Sequence, residues 1–158
     1  MSISYEAVVQ AVGPADKIAL FKEKVLALKP PYSSYGIEQQ IDLPNCVGFY
    51  ENTSGSARDV SYRWPELFYM ATNDPMTVDG IVLRVFLITE CIYEMQLVIE
   101  DNQTAFQQRS ELDMGAFVAP DEDLPEIVHE AVGDATAWQR ACARFGVEYP
   151  FSALMFEA

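Results

Sequence analysis

The chain has little of what usually carries catalysis or metal binding. Its 158 residues include one histidine and three cysteines, and no two cysteines form a CxxC pair. A zinc site needs several His or Cys ligands, and a Ser-His-Asp or Cys-His device could use only His129. The Gly-rich nucleotide-binding patterns GxGxxG and the P-loop are also absent. We therefore expect no cofactor, no metal and no catalytic residue, and a binding protein rather than an enzyme.

Basic residues are scarce as well. The chain has 10 lysines and arginines against 24 acidic residues, which gives a formal net charge of -14. Nucleic-acid binders neutralise phosphates with basic side chains, and anionic membrane surfaces attract basic segments. The balance argues against direct binding to nucleic acid or to a membrane and favours a basic protein partner. The alternative interpretation is that the charge serves solubility alone.

The N-terminus and the cysteines indicate a cellular location. A signal peptide has a basic region, then an apolar run, then a cleavage site. The first ten residues show none of these three features, so no signal peptide is predicted. Cys46, Cys91 and Cys142 are odd in number and far apart, which is typical of reduced, mostly buried thiols. We therefore expect a cytoplasmic protein. With half of its residues hydrophobic, the chain should form a single domain, 1–158.

The fold prediction is organised around residues 81–100. From position 85 onward the odd positions are apolar apart from one threonine, and the charges lie on the even positions, as in a strand with one buried face. A 4-3 spacing of apolar residues also allows a helix, but a helix would scatter the charges. We predict one long strand with a bend or bulge. Cys91 and Tyr93 should face the core, and Glu90 and Glu94 should face solvent.

Around this strand the sequence predicts the order strand, helix, several strands, helix, strand. The order indicates an α+β fold, a mainly antiparallel sheet with two helices on one face, which resembles an elaborated ferredoxin-like βαββαβ plan. The predicted segments are a strand over 2–12, a helix from 14 to about 28, strands over 37–43 and 46–51, a turn over 52–56, a strand over 60–64, strand or helix over 67–71, a loop over 101–110, an edge strand over 112–118, a second helix from about 123 to 146, and a final strand over 147–156.

One acidic pattern stands out. Residues 90–134 contain twelve acidic residues and a single lysine or arginine. Within this range Glu122, Glu126, Glu130 and Asp134 recur every four residues, so on the predicted second helix they would form a row about 6 Å apart. Like charges at this spacing repel by about 0.2–0.5 kcal/mol per pair. The row lies away from the apolar stripe, and an exposed anionic row can imitate a phosphate backbone. The alternatives are a solvated helix face and, for the first acids, a capped helix start.

These observations predict a small acidic inhibitor whose negative face occupies a basic, nucleic-acid-binding surface of a protein partner. Phages and other mobile elements use nucleic-acid mimics of this type against restriction or CRISPR systems. Two alternatives remain: an immunity protein that neutralises a toxin, and a small enzyme with a carboxylate site for which no residue can be named. The predicted partner-binding residues are Asp121, Glu122, Asp123, Glu126, Glu130 and Asp134.

Overall fold

Seven strands of the chain form one antiparallel sheet, flanked by three helices. The computed structural model describes residues 2–29, 34–56, 65–73, 80–89, 93–112 and 127–148. Within them the strand order is β2-β3-β1-β4-β5-β6-β7, and the predicted α+β class with a mainly antiparallel sheet is confirmed. The elements are β1 (Ser2–Val12), α1 (Ala15–Leu26), β2 (Ser34–Leu43), β3 (Cys46–Ser56), α2 (Glu66–Asn73), β4 (Val82–Thr89), β5 (Tyr93–Glu100), β6 (Gln103–Leu112), β7 (Ile127–Gly133) and α3 (Ala137–Arg144).

The larger core lies between α1, α2 and one side of the sheet, which we call the first face. The odd positions of β1 point here because side chains alternate along a strand. The helices contribute residues three or four positions apart, which fall on one helical stripe. The Phe21 ring from α1 meets the Phe49 ring from β3 at 6.4 Å between centroids. The other buried members include Ala7, Val9, Ala11, Ile18, Val25, Leu67, Phe68 and Ala71.

The predicted central strand is an antiparallel hairpin rather than one bent strand. β4 and β5 pair from Val82 with Glu100 to Thr89 with Tyr93. Because each pair joins residues of equal parity, the odd positions of both strands still share the first face, where Val85 and Leu97 are buried. Glu94 is exposed, as predicted. Residues 90–92 and the Tyr93 side chain fall outside the part that the structure describes, so the predictions for Glu90, Cys91 and Tyr93 stay untested.

The predicted helix from about 123 to 146 is wrong over much of its length. Residues Ile127–Gly133 form β7, paired in register with β6, and of the described residues in this range Ala137–Arg144 are helical. Gly133 separates the two elements with a φ of 98°, a left-handed conformation that suits glycine. The following amide, Asp134 N–H, donates to the Ala105 carbonyl at 2.8 Å and ends the strand.

The helix α3 packs on the opposite side of the sheet, which we call the second face. Trp138 and Cys142 of α3 are buried against even positions of the strands, such as Val12 and Val98. The sequence predicted α1 and the second helix on the same face of the sheet. In the structure α1 and α2 lie on the first face, and α3, which belongs to the predicted second helix, lies on the second face. The sheet is therefore covered by helices on both sides.

Several short predictions also change. Residues 52–56, predicted as a turn, continue β3 because they pair with the start of β1. Residues 103–110, predicted as loop, belong to β6. Leu67–Ala71, left open between strand and helix, is helical in α2. Three predictions fall outside the described residues: the strand over 60–64, nearly all of the strand over 112–118, and positions 149–156 of the final strand. Residues 147–148, the start of that predicted final strand, are described and are not strand.

Candidate partner-binding surface

The row of carboxylates predicted on one helix does not form. Glu130 lies on β7, directly across from Arg109 of β6, and its side chain is exposed. Asp134 comes after the strand has ended, so the two residues belong to different elements. The other four predicted partner-binding residues lie where the structure gives no description: Asp121, Glu122, Asp123 and Glu126.

Asp134 is held by the start of α3. Its Oδ1 accepts hydrogen bonds from the Thr136 backbone N–H at 2.9 Å and the Thr136 hydroxyl at 2.7 Å. Its other oxygen pairs with the Arg140 guanidinium. The hydrogen bonds from Arg140 and then Thr136 lower the pKa of Asp134 to about 2. This carboxylate therefore orders the residues that lead into α3 and is offset by a cation of that helix, which leaves it less negative charge for a partner.

Two further ion pairs offset acids elsewhere on the described surface. Arg144 Nη2 lies 3.2 Å from Glu100 Oε1, and Lys22 Nζ lies 3.0 Å from Asp42 Oδ1. Such exposed pairs contribute about 0–1 kcal/mol of stability, so their main effect here is on the distribution of charge. The negative charge of the described surface therefore lies mainly on the acids that make no ion pair with another described residue.

Three exposed acids on the β5–β7 side make no ion pair with any other described residue: Glu94, Asp101 and Glu130. Glu94 lies on the second face of β5, and Glu130 lies on the first face of β7. Asp101 and Asn102 form the β5–β6 turn with φ values of 51° and 62°. Two positive φ values in a two-residue hairpin are typical of a type I′ turn. This side of the sheet thus presents carboxylates on both faces and at one end.

The second face also carries a groove that apolar and polar side chains of β4, β5 and β6 line together. Its volume is about 210 Å³, and its lining is Phe86, Ile88, Glu94, Met95, Gln96, Gln108 and Ser110. The Arg84 guanidinium lies 4.5 Å from the centroid of the Phe86 ring. With the Gln96 amide oriented to accept, Arg84 Nε and Nη2 both donate to its oxygen at 3.1 Å. The groove offers amides, a hydroxyl and one carboxylate, which suit hydrogen bonding to a ligand.

Next to this groove a tyrosine and a glutamate share a short hydrogen bond. The Tyr50 hydroxyl donates to Glu6 Oε1 at 2.5 Å, and Asn52 Nδ2 donates to the Tyr50 oxygen at 3.4 Å. Burial, followed by the hydrogen bond to Glu6, raises the pKa of Tyr50. The phenol therefore stays protonated at neutral pH. Because Glu6 is engaged in this contact, charge reversal at position 6 would disturb the sheet as well as the surface charge.

Three polar side chains of the described residues are fully buried in the sheet, Gln10, Glu51 and Thr53, and the first two bear on stability. Glu51 of β3 lies on the first face, where its Oε1 accepts from the Leu67 backbone N–H at 2.9 Å. It thereby satisfies a donor in the first turn of α2, which the helix itself cannot satisfy. Gln10 lies on the second face, and neither atom of its amide has a hydrogen-bond partner. The Glu51 carboxylate thus holds α2 in place, and the Gln10 amide, which has no hydrogen-bond partner, lowers the stability of the fold.

The described cysteines are buried, free thiols, as the sequence indicated. Burial is the main cause that raises the pKa of Cys46 to about 12 and that of Cys142 to about 11. Since the thiolate is the reactive form, both thiols are chemically quiet at neutral pH. Cys91 is outside the described segments. Within those segments no three His, Cys, Asp or Glu side chains form a group that could hold a metal ion.

Comparison with protein-family models, with characterised proteins and with solved structures gave no match in any of the three. None of the helices in the described segments has the length and apolar character needed to cross a membrane. His129 lies on β7 across from Ser110, but its side chain is among those not described. The function is therefore argued from the charge and geometry of the surface.

Proposed function

We propose that this chain is a small acidic binding protein that inhibits a basic protein partner by occupying its positively charged, nucleic-acid-binding surface. The observation that carries the proposal is the net charge of -14 on a folded sheet scaffold. Glu94, Asp101 and Glu130 support it, since they are exposed and have no counter-ion among the described residues. A cytoplasmic location fits this role.

The expected mechanism is electrostatic. A strong field of one sign steers a partner of opposite charge and accelerates encounter, and salt screens it over about 8–10 Å. Carboxylates on a rigid sheet keep fixed positions, so they can replace phosphates in a basic groove without a large ordering cost. Association should therefore be fast at low salt and slow as salt rises. An immunity protein against a basic toxin would act by the same physics.

We also infer that the first half of the chain follows the βαββαβ plan. The order β2-β3-β1-β4 supports this inference, because β1 lies between β3 and β4 and is antiparallel to both. Both crossover helices, α1 and α2, contribute to the core on the first face. The strands β5, β6 and β7 then extend the sheet on one side. That extension carries Glu94, Asp101 and Glu130, which make no ion pair with another described residue. Function is argued from those residues, since such folds host many unrelated activities.

The partner-binding assignment is proposed for Asp121, Glu122, Asp123, Glu126, Glu130 and Asp134. Glu130 is the member of this set to test first, because it is exposed and makes no ion pair with a described residue. Asp134 already pairs with Arg140, so its reversal would disturb α3 as well. We expect Glu130→Lys to weaken binding by about 1 kcal/mol, since exposed ion pairs are worth about 0.2–1 kcal/mol and reversal adds repulsion.

The experiment begins with capture of partners from a host lysate at low salt. The captured partner should be basic, and its association rate with the purified protein should fall between 50 and 300 mM salt. Glu130→Lys is compared with Glu23→Lys, which reverses an exposed acid on α1, away from β7. Equal binding by the parent and both variants, or binding that does not respond to salt, would refute the proposal.

A further inference from the structure

The two edges of the sheet are built differently. β2, at one edge, has register irregularities between Ser34 and Ile37 and between Gln39 and Ile41. It also carries the exposed acids Glu38 and Asp42. Bulges and charges of this kind prevent another strand from pairing with an edge. The β2 edge is therefore protected.

The other edge, β7, has no register irregularity, and among its described side chains only Glu130 carries a charge. It pairs with β6 without a register shift from Leu112 with Ile127 to Phe106 with Gly133. No described strand pairs with its outer side. Residues 130–133 are exposed, and Val132, at 71% exposure, is the most exposed of the large hydrophobic residues in the described segments. A regular strand with an exposed valine at a sheet edge is a template for a further strand.

We propose that the outer edge of β7 binds an extended, basic segment of the protein partner as an eighth strand of the sheet. This inference depends on the proposed function, in which the partner is basic. It adds how a segment of that partner binds to the sheet. Backbone hydrogen bonds would supply affinity, and side chains on alternating positions would supply specificity. Glu130 and Val132 are two residues apart and lie on the same face of the strand. The incoming strand should therefore place a basic residue opposite Glu130 and an apolar one opposite Val132.

A second copy of this chain fits the edge poorly. Glu130 is the central residue of Ile127–Gly133, so full antiparallel pairing about a two-fold axis would place Glu130 opposite its own counterpart. Like charges directly opposite in a sheet are destabilising, and each copy would bring a net charge of -14. The charge of β7 and of the whole chain thus selects a basic occupant.

The test uses a synthetic peptide with two repeats of Lys-Thr-Val-Thr as the probe for the basic segment. One control peptide replaces lysine with glutamate, and a second carries N-methyl groups on alternate amides, which removes backbone donors and keeps the charge. Binding to the full chain is followed by NMR chemical shifts and by amide hydrogen exchange. The lysine peptide should shift the signals of residues 127–133 and protect the alternate amides that point away from β6. N-methylation should raise its Kd at least about tenfold, since each lost backbone hydrogen bond is worth roughly 0.5–1.5 kcal/mol.

A charge-swap variant provides the matched control. Glu130→Lys should weaken the lysine peptide and strengthen the glutamate peptide. The new lysine lies across from Arg109, where like charges destabilise a sheet, so circular dichroism and a neutral Glu130→Gln variant separate the loss of charge from a loss of fold. Equal Kd values for the lysine peptide and its N-methylated form, or protection outside β7, would overturn strand addition. So would a sedimenting dimer whose β7 amides are already protected. If the captured partner still binds with the expected salt dependence in those cases, the electrostatic function survives and only the edge assignment fails.

Discussion

Replacing Glu51 with alanine should loosen α2 from the sheet. Glu51 is fully buried, and its Oε1 accepts from the Leu67 N–H at 2.9 Å. Pro65 supplies its carbonyl to the next two amides, Phe68 and Tyr69, so Leu67 depends on the carboxylate. An orphaned buried donor costs about 1–3 kcal/mol, and a lost helix cap costs about 1 kcal/mol. Both figures describe the loss of the same hydrogen bond, so we expect Glu51→Ala to lower the free energy of unfolding by about 1–3 kcal/mol.

The assay is equilibrium unfolding in guanidinium chloride, followed by far-UV circular dichroism. Glu51→Gln is the matched control, because it keeps a side-chain oxygen at nearly the same position and should lose less stability than Glu51→Ala. A lower midpoint with an unchanged slope indicates lost stability rather than a changed unfolded state. The explanation fails if Glu51→Ala unfolds at the same denaturant concentration as the parent, or if glutamine costs as much as alanine.

Three further variants test other parts of the structure. Gln10→Leu should raise stability by about 1–2 kcal/mol in the same unfolding assay, because it removes a buried amide without partners; a loss would contradict this. Gly133→Ala should cost at least about 1–3 kcal/mol, since φ is 98° and a Cβ would collide with the Ala105 carbonyl oxygen; a silent substitution would refute the strand end described. The hydrogen bonds from Arg140 and Thr136 lower the pKa of Asp134 from the ordinary 3.8 to about 2, so its contribution to stability is present above pH 4 and is lost as pH falls toward 2. Asp134→Asn should therefore flatten the pH dependence of thermal unfolding in that window.

The sequence predicted the elements in which local pattern and tertiary environment agree. In β1 the alternation of apolar and polar positions marks a strand with a buried face, and the structure has a strand over the same residues, Ser2–Val12. In α1 the spacing of Ile18, Phe21 and Val25 marks a helix stripe, and all three are buried. The prediction that the odd positions of residues 81–100 share one face holds, although this segment forms two paired strands, β4 and β5, instead of one. A three-residue connection keeps odd positions on one face, so the pattern cannot tell a bend from a turn.

The sequence misled where backbone pairing outweighs side-chain preference. β6 contains three glutamines among ten residues, and it is a strand because β5 and β7 pair with it on both sides. The Asp101-Asn102 pair was the available signal, since such residues tolerate the positive φ of a hairpin turn. In 123–146 the apolar spacing suited a helix, but Gly133 marks the change from strand to helix. Because residues 127–133 form a strand, the acidic row predicted on a helix does not form. Glu130 lies instead on the edge strand β7.

Displacement of nucleic acid from the captured partner is the measurement that tests the central claim most directly. The partner is loaded with a fluorescent DNA or RNA duplex, and the anisotropy is followed as this protein is added at low and at high salt. If the protein occupies the basic surface, the duplex should be released near stoichiometric addition at low salt, and Glu130→Lys should require more protein than Glu23→Lys. A partner that holds this protein and the duplex at the same time would contradict the account.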